Sequence, residues 1–169
     1  MKMPEHITSF WKNFAATQRD DPSPRFFEAF HFDDNELSAN ELADLVLAGR
    51  KRATAGLVWS FESAQVPLPK IGDLSVVTDW ARQPLCVIET QQVDVVAFED
   101  VSEEFAATEG EGDGSLNYWQ SAHQAYFGRE CQRIGRLPHP RMPVVCERFK
   151  VIFRGALASD ASEETPLRR

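Results

Sequence analysis

Basic residues are in short supply in this chain. Lys and Arg total 18 against 26 Asp and Glu, a formal net charge of −8. Broad nucleic-acid surfaces are built from clustered cations, so the overall balance argues against one. Cysteine is scarcer. Cys86, Cys131 and Cys146 are odd in number and far apart, and no two form a Cys-x-x-Cys pair. That argues against a disulfide framework and a cysteine zinc site. Cys86 and Cys146 lie in the apolar runs PLCVIET and PVVCERF and read as buried thiols. No apolar run approaches the roughly 18 residues that span a bilayer. The start, MKMPEHITSFWKNF, lacks the apolar stretch and cleavage site of a signal peptide. A cytoplasmic protein with no membrane partner is expected. A P-loop, a dinucleotide-binding glycine motif, a zincin helix and a nucleophile elbow are all missing, and no cofactor is expected.

What is present suits one domain. The chain has 169 residues, 43% hydrophobic and 11% aromatic, enough for one core. Its charge is partitioned. Residues 89–113 carry nine acids and no Lys or Arg, whereas residues 129–154 carry seven bases against two acids. A molecule charged in this way can hold a positive groove despite a negative total.

The periodicity predicts helices first. ITSFWKNFAATQ places Phe10, Trp11 and Phe14 on one side. After the breaker DDPSP, Ser38-Ala-Asn-Glu41 reads as a capping box ahead of Leu42, Leu45 and Val46, with Gly49 as the stop. Strands follow at Leu74 to Thr78, Leu85 to Thr90, Val93 to Phe98 and Val144 to Phe153. Between the last two, glycines 110, 112 and 114 make a loop, and Ser115 caps a helix with Trp119, His123 and Phe127 on one face. The expected organisation is an N-terminal helix over 1–20, a main domain over 21–154 and a flexible tail over 155–169, in the α+β class.

The chemistry concentrates in two places. The first is GRKRAT, residues 49–54, where Arg50, Lys51 and Arg52 precede Thr54. A threonine hydroxyl attacks only if a base takes its proton, and a lysine beside other cations can be that base. The competing reading is a helix C-terminus whose cations favour its dipole, followed by an ordinary strand threonine. The second is Glu109-Gly-Glu111-Gly-Asp113. These acids can act as a general base or sit solvated before a helix. Their spacing does not match an EF-hand, and no metal is expected. His123 reads as catalytic or as a structural residue among aromatics. Trp59, Tyr118 and Trp119 can stack on a base or fill the core.

LADLVLAGRKRATAGLVW, PLPKIGDLSVV, PLCVIETQQVDVVAFEDVSEEFA, EGEGDGSLNYWQSAH and MPVVCERFKVIF run in an order that resembles the ASCH domain family over about residues 20–154. The resemblance implies a small PUA-like β-barrel with flanking helices, and RNA or a modified nucleoside as the partner. In a shorter branch that deacetylates N4-acetylcytidine, a Lys, a Thr three residues on and a downstream Glu do the work. Lys51 and Thr54 match the first two, and Glu109 or Glu111 the third. By that likeness Thr54 attacks the acetyl carbon, Lys51 takes its proton, and Arg50 or Arg52 meets the oxyanion or a phosphate. Asp113, Tyr118, Trp119, His123 and Trp59 complete the expected binding set. The chain also resembles a longer bacterial branch, for which ribonuclease activity has been proposed. A non-catalytic RNA-binding module is the alternative.

Overall fold

The computed structural model describes residues 2–156. The expected tail lies almost wholly outside the described residues. A first helix, α1 (Thr8–Ala15), seats Trp11 and Phe14 with Ile7 against one face of a sheet. Their rings meet edge to face at 5.1 Å, and Trp11 does the same to Phe26. Phe10 stays half-buried against Phe153. Strand β1 (Phe26–Phe30) follows, then α2 (Glu36–Leu47), β2 (Ala53–Leu57) and α3 (Val58–Ala64). Next come β3 (Leu74–Thr78), β4 (Pro84–Ala97), α4 (Glu103–Glu109), α5 (Leu116–Arg133) and β5 (Pro143–Arg154).

The sheet order is β1-β3-β4-β5-β2, parallel only between β1 and β3. It is an open sheet, which corrects the expected closed barrel. The edges β1 and β2 are five residues each, and β2 runs straight into α3 at Val58. Neither edge reaches the other, and the gap between them is where the candidate site lies.

Two further expectations change. The predicted strands at 85–90 and 93–98 are one strand, β4, whose pairing with β5 shifts between Val87 and Ile88 and between Thr90 and Gln92. The polar Gln91-Gln92 step is a bulge, not a turn. It bends the strand, so that one half covers α1 and α2 and the other covers α4 and α5. The predicted capping box is displaced as well. Asn35 caps α2 by accepting from the Ser38 amide, and the Ser38 hydroxyl donates to Asp33.

The partitioned charge has a structural explanation. The basic segment folds back on the acidic one. Arg141 pairs with Glu99 and Asp100, Arg148 with Asp94 and Glu104, and Lys150 with Glu89. Arg129 and Arg133 hold Asp34, and Arg136 reaches Glu62. Six of the seven bases thus pair with acids, three of them in the acidic stretch, and these bases do not form a free positive groove.

Candidate active site

The knot at residues 50–52 alternates in direction. Gly49 leaves α2 at φ +73°, and the amides of Arg50 and Lys51 both donate to the Leu45 carbonyl, at 2.9 and 3.0 Å. The Arg52 amide donates to Thr108 of α4 at 3.0 Å. This pinning turns Lys51 inward, 1% exposed, and leaves Arg50 and Arg52 outside. The other partner arrives from α4. Glu109 is its last residue, and Gly110 turns the chain at φ +65°. A side chain at Gly110 would collide with the Arg50 carbonyl, so the close approach requires glycine.

Lys51 Nζ donates to Glu109 Oε1 at 2.9 Å and to Glu111 Oε1 at 2.6 Å. It also stands 5.1 Å over the Phe32 ring. Glu109, 1% exposed, takes a second donor, the Trp119 indole N–H, on Oε2, and His123 Nε2 lies 3.3 Å from that oxygen. His123 stacks on Trp119 at 4.1 Å, and its Nδ1 is 2.9 Å from the Trp119 carbonyl. A carbonyl only accepts, so Nδ1 carries a proton.

Burial is the largest influence on Lys51 and would strip its proton. The two carboxylates more than offset that, and its pKa is raised above the ordinary lysine value. Burial pushes Glu109 up as well, but Lys51, His123 and the Trp119 N–H pull it below the usual carboxylate range. At neutral pH the pair is an ammonium and a carboxylate. Glu109, Glu111 and His123 offer ligand atoms all within 4.8 Å of one another. The Lys51 ammonium already bonds both carboxylates, and a divalent cation would have to displace it.

Glu109, Glu111 and His123 line a cavity of about 250 Å³ between the two sheet edges, with Lys51 and Trp119 buried behind them. Thr54 and Gly56 of β2 line one side, and Glu28 and Phe30 of β1 the other. His123 and Tyr126 of α5 close one wall. His31 to Asp33 also line it, in a loop tied to α5 where Asp34 accepts from Arg129 at 2.8 and 2.9 Å. Thr54 stands directly across the ladder from Glu147 of β5. No hydrogen bond joins Lys51 to Thr54 among the described residues; the cavity is what they share through Glu109 and Glu111.

Thr54, Glu109, Glu111 and His123 therefore share one cavity, and Lys51 joins them through its bonds to Glu109 and Glu111. Trp119 is buried at 2% exposure and holds Glu109 in place; it is not a free stacking surface. Trp59 packs at the edge of the core under Arg136, 4.7 Å from its ring, and does not line the cavity. Tyr118 is 43% exposed and lies over Gly112. Arg50, Arg52 and Asp113 surround a separate surface depression. Asp113 accepts from the Ser115 amide in the turn before α5.

Four lining carboxyls escaped the sequence reading, those of Glu28, Asp33, Glu130 and Glu147, and the proton affinities of Glu28 and Glu147 are raised. Burial, then the charge of Glu147, pushes Glu28 up to about 7. Burial also raises Glu147, against a hydrogen bond from Thr90, and Asp73 raises it further. The one local signal for Glu28 was a lone acid inside the aromatic strand FFEAF. Glu147 gave none, because its meeting with Thr54 is set by strand pairing alone.

The family model described as ASCH domain matches residues 28–153. The chain is similar to the crystal structure of an ASCH domain from Lactobacillus crispatus JV V101, with 38% identity and a TM-score of 0.83, over 91% of this chain and 98% of that one. It is also similar to a protein of Enterococcus faecalis V583, with 27% identity and a TM-score of 0.80, over 98% of this chain and 99% of that one. Among curated proteins the comparison found no match.

Proposed function

The chain belongs to the ASCH domain family, a PUA-like RNA-binding family, and from that premise and the chemistry of its cavity we propose that it hydrolyses an acylated nucleoside of the N4-acetylcytidine type. One observation carries this reading. Six carboxyl side chains, those of Glu28, Asp33, Glu109, Glu111, Glu130 and Glu147, line the cavity, and no Lys or Arg is among the lining residues. A phosphate backbone would be repelled there. A single uncharged base would not, and about 250 Å³ suits one base with a small substituent.

In this reading Thr54 Oγ attacks the acyl carbon. Its proton passes to Lys51 as Lys51 hands one of its own to Glu111, so the lysine relays rather than stores the proton. The C–N bond then breaks, and water releases the acyl group from Thr54. Glu109, clamped by the Trp119 indole N–H, holds Lys51 at its station. The test is release of cytidine and acetate from N4-acetylcytidine by the purified protein. Thr54→Ala and Lys51→Ala should each lower turnover by at least about a thousandfold, given the scale of losing a nucleophile or its base. A folded wild type that releases nothing would sink the reading.

A second reading, RNA binding without turnover, rests on Arg50 and Arg52. Both are exposed, and neither guanidinium pairs with an acid among the described residues. It gains support if labelled RNA binds and no acyl nucleoside is cleaved.

A further inference from the structure

We propose that Glu28 is the acid of the reaction, giving its carboxyl proton to the ring nitrogen of the leaving base. The proposal rests on the nucleoside-hydrolase reading above.

Asp33 accepts from Ser38 and lies near Arg129. Glu109 and Glu111 share Lys51, Glu130 accepts from Ser60 and Arg133, and Glu147 accepts from Thr90 at 2.6 Å. Of the six carboxyls that line the cavity, only Glu28's makes no hydrogen bond or ion pair among the described residues. Its placement there has a cause in the strand. Pairing of β1 with β3 slips between Phe26 and Glu28. The irregularity lets Phe26 and Ala29 face the α1 side while Glu28 and Phe30 face the cavity. A buried carboxyl with no cation in reach keeps its proton to a higher pH than an ordinary one. Glu147, on the neighbouring wall, adds like-charge repulsion to burial. A neutral carboxyl is a donor and an acceptor at once. That pair matches an edge carrying a ring nitrogen acceptor beside an N–H donor, the edge that an N4-acylated cytosine presents.

Chemistry supplies the need. When the tetrahedral intermediate collapses, the C–N electron pair moves onto the amino nitrogen and delocalises to the ring nitrogen. An anion of that kind leaves poorly. If the Glu28 proton reaches the ring nitrogen as the bond breaks, the base departs as a neutral imino tautomer. As water releases the acetyl group and gives its protons to solvent, Thr54 takes its own proton back along the Lys51 relay from Glu111, and the Glu28 carboxylate regains a proton from solvent. The products are neutral base, acetate and a proton to solvent.

The experiment compares two acetyl donors, N4-acetylcytidine and phenyl acetate, whose phenolate leaves without needing a proton. Glu28→Gln should lose at least about a hundredfold in kcat on the amide, the usual span for a general acid, and less than about tenfold on the ester. Ester turnover also reports that the variant is folded. Equal losses on the two substrates, or no loss on the amide, overturn the assignment while leaving the hydrolase reading intact. A wild type inert toward both substrates overturns that reading and this one together. If Glu28→Gln does not fold, Glu28→Asp is measured instead. It keeps the proton but withdraws it by one methylene, and must lose amide turnover more than ester turnover; a parallel loss counts against the proposal.

Discussion

The two ends of the cavity solve the problem of buried charge in opposite ways. At one end Lys51, Glu109, Glu111, Trp119 and His123 form a network in which every buried charge has a partner. At the other, Glu28 and Glu147 face each other's field with no cation, and their proton affinities rise. The first arrangement is rigid because each member fixes the next. The second is poised: it holds a proton near neutrality and can release it. A fold that stabilised both ends equally would leave nothing for a substrate to complete.

The largest effect should come from breaking the paired end. Lys51→Met leaves Glu109 buried without its cation, and losing one partner of such a pair costs about 3–5 kcal/mol. Chemical denaturation should show that loss. The double variant Lys51→Met with Glu109→Gln should recover much of it, since an uncharged pair of similar size is tolerated. A single variant as stable as the wild type would mean that the network contributes nothing. The signs of the two shifts also define a pH window. Glu109's lowered pKa makes its contribution complete above the ordinary carboxylate value and lost as pH falls through its folded value. Lys51's raised pKa makes its contribution complete below the ordinary lysine value and lost as pH rises through its folded value.

A smaller effect of opposite sign should appear at the unpaired end. Glu28's pKa stands at about 7 in the fold against an ordinary 4.5. The folded state therefore holds the proton more tightly than the unfolded one. The resulting destabilisation is absent below the ordinary value and grows as pH rises to about 7. Glu28→Gln should raise Tm by a few degrees at about pH 8 and leave it little changed at about pH 5. Together with the loss of amide turnover, that would be a local exchange of stability for function. A Tm gain equal at both pH values would mean that the carboxyl is ordinary and that its side chain merely packs badly.

How much of this was legible beforehand differs between the same two ends. GRKRAT and EGEGD announce the paired end in sequence because both are local turns. Gly49 and Gly110 are needed where they stand, and an inward lysine flanked by outward arginines is a pattern along a few residues. The helix of Trp119 and His123 was legible from its spacing of four and its serine cap, which Ser115 supplies. The unpaired end was not legible. Glu28 enters the cavity through a register slip, and Glu147 through a ladder that sets it opposite Thr54, far away along the chain. Strands β1 and β2 are short and half-buried, without the alternation that marks a strand in sequence. The open sheet was missed for the same reason, since closure is decided by the lengths of those two edges. The basic stretch misled because its partners, Asp34, Glu62 and the acids of 89–104, are distant in sequence and near only in the fold.

The smallest effect on stability falls outside the cavity and separates the two functional readings. Arg50 and Arg52 flank the buried lysine in sequence but stand outside, without acidic partners among the described residues. Replacing both by Ala should change stability by no more than about 0.5 kcal/mol, as for surface positions generally. If they grip an RNA backbone that carries the target nucleotide to the cavity, affinity for a single-stranded oligonucleotide should fall. Its dependence on log salt concentration should flatten by about 0.7 for each phosphate that is no longer neutralised. An unchanged slope would leave the depression around Gly110 without a role in binding RNA. The family's RNA association would then have to run through the cavity alone, where six carboxyls face the ligand and only an uncharged base is easily admitted.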